Sequence, residues 1–118
     1  MTDRALTVAR QNHPSGATVL TVSGELDHHT APRLARAFDE TPFGPDTPLV
    51  IDLSELGYCD STGITVLITA YQRAEATDSR LFLAGVDPHL LRVFRIVGLD
   101  QVFAFMPTAE QALDALAP

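Results

Sequence analysis

Between Leu49 and Leu53 the chain reads LVIDL, four apolar residues in five, entered from Thr41–Pro48 (TPFGPDTP), a loop holding three prolines and a glycine. A strand with one wet face alternates apolar and polar side chains. A run of this kind instead suits a strand buried on both faces, as in a parallel sheet covered by helices. The stretch that follows agrees. From Ser61 to about Thr77, Ile64, Leu67, Ile68, Tyr71 and Ala74 recur at the 3.6-residue period of a helix with one apolar side. A buried strand feeding an amphipathic helix is the start of a parallel crossover, and it directs the chain to the α/β class.

The flanking segments extend this pattern. Leu6–Gln11 and the β-branched Thr18–Ser23 (TVLTVS), separated by Asn12–Ala17 with its Pro and Gly, predict a hairpin whose second strand ends at Gly24. A helix follows, with Thr30 as N-cap, Pro32 in its first turn, and Leu34, Ala35, Ala37 and Phe38 as its apolar face. Arg80–Ala84 predicts another strand. Asp87-Pro88 then caps a helix running to Val97, with Gly98 at C′. Val102–Phe105 reads as the last strand, and Thr108 with Gln111 forms a capping-box pattern before a helix ending near Leu116. The order ββαβαβαβα predicts one mixed sheet of about five strands, an N-terminal hairpin followed by α/β crossovers, with about four helices. With no repeat and no dividing linker, residues 1–118 read as a single domain.

Composition narrows the function. Of 118 residues 46% are hydrophobic, enough for a core without disulfides or metal. Eight basic residues, all Arg, stand against fifteen acidic ones, for a net charge of −7. Such a chain repels nucleic acid and anionic lipid, whose binding begins with Lys and Arg. No uncharged stretch approaches the ~20 residues that span a bilayer, and MTDRALTVARQN lacks the apolar core of a secretory signal. The expected location is the cytoplasm. Cys59, the single cysteine, has no partner for a disulfide. His28-His29 is the one hint of a metal, and one Cys with four scattered His lacks any zinc-site spacing. Neither metal nor cofactor is expected.

The sharpest local feature is Tyr58-Cys59-Asp60-Ser61-Thr62-Gly63, between the buried strand and the amphipathic helix. Asp60 or Ser61 stands where a short side-chain oxygen caps the first free amides, and capping alone would account for both. The same helix start also favours negative charge, so a phosphate on Ser61 would leave the helix intact while changing the surface a partner meets. Hydrolase readings fit less well. Ser61 lacks the nucleophile elbow, having Cys59 where the first glycine belongs. The Asp-Ser-Thr-Gly run carries one residue more than the aspartic-protease triplet. Two further features stand out. Gly24-Glu25-Leu26-Asp27 is either a turn with solvated charges or a bend placing carboxylates at the sheet edge. The helix Pro88–Val97 is apolar around more of its circumference than one buried stripe requires, which fits either an interface or a wedged position.

Three stretches in this order, VLTVSGELDHHTAPRL, LVIDLSELGYCDSTGITVLITAYQRA and RLFLAGVDPHLLRVFRIVGLDQVFAF, resemble the STAS domain, and within it the free-standing anti-sigma factor antagonists of bacteria. The resemblance runs from about Leu6 to Leu116. It implies a non-enzymatic binding protein whose acceptor serine, following the Asp at this helix start, is Ser61, with Thr62 a lesser candidate. Unphosphorylated, it would bind an anti-sigma factor serine kinase of the histidine-kinase-like ATPase fold and so free a sigma factor. A PP2C-type phosphatase would reverse the modification. Asp27, Asp60, Ser61, Thr62 and Gly63 would form the partner-binding face. The same fold also serves as a constitutive binding or scaffold module in signalling and transport complexes, which is the alternative expectation.

Overall fold

The computed structural model describes residues 5–116. Five strands lie in the order of their sequence: β1 (Thr7–Asn12), β2 (Thr18–Leu26), β3 (Leu49–Cys59), β4 (Leu81–Ala84) and β5 (Ala104–Met106). β1 and β2 form the antiparallel hairpin, paired from Thr7↔Ser23 to Asn12↔Thr18, and β2 through β5 run parallel. The crossovers carry α1 (Ala31–Asp39), α2 (Ser61–Ala76) and α3 (Pro88–Ile96), and α4 (Ala109–Leu116) follows β5. The mixed five-stranded sheet with four helices is the architecture expected from the sequence. The ends of the expected 1–118 domain lie outside the described residues.

The LVIDL run is apolar because both faces are covered. Leu49 and Ile51 join Leu20, Val22 and Leu83 in the main core, filled from the helices by Leu34 and Phe38 of α1, Leu67 of α2 and Phe94 of α3. Val50 points the other way, packing with Val19, Ala84 and Ala112 of α4. Each large side chain taken out of water contributes roughly 1.5–3 kcal/mol against a net stability of only about 5–15 kcal/mol.

Several boundaries differ from expectation. β2 does not end at Gly24; it continues to Leu26, because Gly24 takes φ +102° and two register shifts against β3 carry the strand onward. β3 in turn runs six residues past Leu53, pairing Glu25↔Tyr58 and Leu26↔Cys59. β5 occupies Ala104–Met106 rather than Val102–Phe105, since a 3-10 turn takes Leu99–Gln101 and the amides of Val102 and Phe103 both donate back to the Leu99 carbonyl. In α1 the buried side chains are Ala31, Leu34 and Phe38, whereas Ala35 is exposed. The apolar excess of α3 is resolved as exposure: Leu90 and Phe94 enter the core, while Ile96 is 76% and Val97 58% exposed.

Candidate functional site

Because β2, β3 and β4 are parallel, their carboxyl ends share one edge of the sheet, and an Asp stands in the turn after each. All three carboxylates accept backbone amides. Asp27 accepts from His29 N at 2.9 Å and Thr30 N at 3.0 Å. Asp60 accepts from Gly63 N at 3.0 Å, and Asp87 from Leu90 N at 2.8 Å.

Asp60 is therefore the N-cap of α2, in extended backbone, and Ser61 is the first helical residue. The Asp60 amide donates to the Leu26 carbonyl at 3.1 Å, tying this helix start to the end of β2 beside Asp27. Ser61 and Thr62 are exposed, and among the described residues neither hydroxyl has a hydrogen-bond partner. Their amides belong to the unpaired set at a helix start, so two donors and the positive dipole end face outward. The Ser61 carbonyl is held by the Thr65 hydroxyl at 3.0 Å.

Gly63 is buried, so its part is positional. A Cβ there would lie 2.6 Å from Leu26 Cγ and 2.9 Å from Cys59 Sγ, which means the first turn of α2 sits directly on the end of β2. Burial, with the nearby Asp60 charge adding, pushes the Cys59 thiol up to about 12. At neutral pH it is a packed thiol, not a nucleophile.

Thr30 occupies the N-cap position of α1, as expected from sequence, but its side chain makes no cap hydrogen bond. Its own backbone is helical, and its hydroxyl donates to the Glu25 carbonyl at 2.7 Å and accepts from Asp27 N at 2.9 Å. The cap's task passes to Asp27, whose carboxyl is held below its ordinary value chiefly by the Thr30 amide. Thr30 fixes the Asp27 turn, a part that its reading as a cap did not include. Tyr58 stands 52% exposed on the unexpected extension of β3.

The structure thus gathers Asp27, Asp60, Ser61 and Thr62 on one edge, with Gly63 beneath them. His28 and His29, their ring centroids 3.9 Å apart, are exposed in the same turn as Asp27. Among the described residues no group of three or more His, Cys, Asp or Glu is placed to hold a metal, and no helix is long and apolar enough to cross a membrane.

Known proteins share this fold. A family model described as "Mlab, STAS domain" matches residues 9–108. The anti-sigma-B factor antagonist of Listeria monocytogenes is 37% identical over 81 residues, 69% of this chain and 71% of that one. The crystal structure of an anti-sigma factor antagonist from Mycobacterium paratuberculosis superposes with a TM-score of 0.82 at 31% identity, covering 97% of this chain and 96% of that one. The Bacillus cell fate determinant SpoIIAA in its phosphorylated form shares the fold, with a TM-score of 0.70 at 21% identity over 93% of this chain and 99% of its own. With the family model spanning residues 9–108, the chain belongs to the STAS domain family, alongside the anti-sigma factor antagonists it matches.

Proposed function

We propose that this chain is an anti-sigma factor antagonist controlled by phosphorylation of Ser61. Unmodified, it binds an anti-sigma factor serine kinase of the histidine-kinase-like ATPase fold, which then releases its sigma factor. Phosphate on Ser61 ends the binding, and a PP2C-type phosphatase restores it. The chain is a substrate and a binding partner rather than an enzyme, and the reading places it in the cytoplasm with its partners.

The observation that carries this reading is the state of Ser61: exposed, unpartnered, and first in a helix whose cap is already supplied by Asp60. The hydroxyl can be modified without breaking any contact of the fold. A phosphate there adds about −1.5 to −2 charge beside Asp60 while the free amides and helix dipole keep α2 formed. Asp27 serves as a contact on the same edge, Thr62 as a neighbour and lesser acceptor, and Gly63 sets the height of the helix.

The test is incubation with an anti-sigma factor serine kinase from the same genome and ATP, followed by mass spectrometry. Expected is one phosphate on Ser61, absent in Ser61→Ala, and loss of kinase binding after modification. Ser61→Asp should weaken binding with circular dichroism unchanged. Undiminished binding by the phosphorylated chain, or no phosphorylation at all, would favour a constitutive scaffold module instead.

A further inference from the structure

The polar residues around Ser61 are too small a surface to hold a partner by themselves. A standard interface takes about 800 Å² from each protein, roughly one-eighth of the 6723 Å² this chain exposes. Asp27, Asp60, Ser61 and Thr62 are short polar side chains, three of them at a single helix start. The contact must spread to adjoining surface. Beside them lies a groove of about 120 Å³ between the end of β3 and α3, lined by Leu56, Leu90 and Val93 together with Gly57, Tyr58, Cys59, His89 and Asp87, whose carboxylate already accepts the Leu90 amide. That volume is well below the ~300–1,000 Å³ of a small-molecule site and suits a single inserted side chain. Its wall is Tyr58, a residue type enriched among the anchors of protein interfaces. Among the described residues it is the one large hydrophobic on this edge that stays more than half exposed.

We infer that this groove receives an apolar side chain of the anti-sigma factor, with Tyr58 as the anchor of the contact; the inference rests on the function proposed above. It also accounts for the sign of the switch. Among the described residues no Lys or Arg lines the groove, and Asp87 adds a carboxylate to it, so the groove offers a phosphate on Ser61 no guanidinium or ammonium partner. Closing the partner over it would strip water from a doubly charged group beside an apolar contact, which disfavours the complex. A phosphate set among arginines would act in the opposite direction.

Titration calorimetry of the kinase against four variants tests this. Tyr58→Ser should weaken Kd by about 30-fold or more, the range of an interface anchor, with the melting temperature little changed because half of the side chain is already exposed. Tyr58→Phe should bind near wild type. Ile96→Ser, at a still more exposed apolar position at the far end of α3, should leave Kd unchanged. Ser61→Asp reports separately on the switch. If Ser61→Asp abolishes binding while Tyr58→Ser leaves it intact, the groove is not the anchor and the switch stands. If Tyr58→Ser and Ile96→Ser weaken binding alike, the groove has no special role. If the wild type does not bind the kinase at all, both readings fall together.

Discussion

Replacing Gly63 by Ala places a methyl carbon 2.6 Å from Leu26 Cγ, 2.8 Å from Leu26 Cδ2 and 2.9 Å from Cys59 Sγ. Carbon atoms in a packed interior prefer about 3.5–4.0 Å, so some part must move by about 1 Å. Leu26 is 0% exposed and the nearest atom is its branch point, which leaves no rotamer to swing into solvent. Overpacking of this kind costs typically about 1–3 kcal/mol. Ala is favoured over Gly by up to about 1 kcal/mol within a helix, and by less in a first turn. The net expectation is a loss of about 1–2 kcal/mol. For 118 residues the unfolding entropy of about 2.1 cal/mol/K per residue converts 1 kcal/mol into about 4 °C, so Tm should fall by about 4–8 °C in a calorimetric scan. Gly57→Ala is the control, since a Cβ there meets only the Gly24 carbonyl at an ordinary 3.6 Å. The double variant Leu26→Ala, Gly63→Ala should lose less than the sum of the two singles, because the smaller Leu26 side chain makes room for the added methyl. A Gly63→Ala protein melting at or above wild type would refute the close approach of α2 to β2.

Asp78 closes α2 with φ 56°, the Ser79 amide donating to the Ala74 carbonyl at 2.8 Å and its own amide to the Glu75 carbonyl. Asp78→Gly relieves the left-handed backbone and removes an anion from a helix C-terminus, so thermal scans should show a gain of about 0.5–1 kcal/mol. Asp27 titrates below its ordinary value of 3.8 in the folded chain, so its contribution is full above that value and fades as pH falls through the lowered one. Urea titrations should show wild type losing its advantage over Asp27→Asn as pH falls below about 4. Cys59, pushed up to about 12, should resist iodoacetamide at pH 8 until denaturant is added. Its raised value contributes stability below the ordinary thiol pKa and loses it as pH climbs past about 9, relative to Cys59→Ala.

The sequence shows most clearly what burial on both faces dictates. LVIDL marks the centre of the sheet because helices cover it from two sides, and the spacing from Ile64 to Ala74 marks α2 because one side of that helix meets the core. Asp60 and Ser61 are legible as a helix start for a local reason: a short acid before a helix caps it wherever it occurs. The second half of β3 is not legible. Ser54–Cys59 (SELGYC) has neither a continuous apolar run nor regular alternation and holds a glycine, which reads as loop until β2 is seen to continue past Gly24 beside it. The position of Thr30 at the start of α1 is legible, but its partners are not. A Thr before a Pro-containing helix reads as a cap, yet its hydroxyl is claimed by Glu25 and Asp27, partners that only the fold brings near. The groove beside Tyr58 requires α3 to lie along β3, and no local pattern reports that placement.

The strand directions also decide where a fused domain would sit. β1 opposes β2, so the described chain starts beside Ser23 and Glu25, and Ala5 lines the same hollow as those residues at the Ser61 edge. α4 leads back from the end of β5 across the opposite face and finishes at Leu116, toward the far edge. A fluorescent protein or surface tether joined ahead of Ala5 would stand at the edge proposed to meet the partner, and one joined after Leu116 would leave that approach clear. Immobilisation through the C-terminal side is accordingly the orientation in which a binding measurement on this chain reports the interface rather than the label.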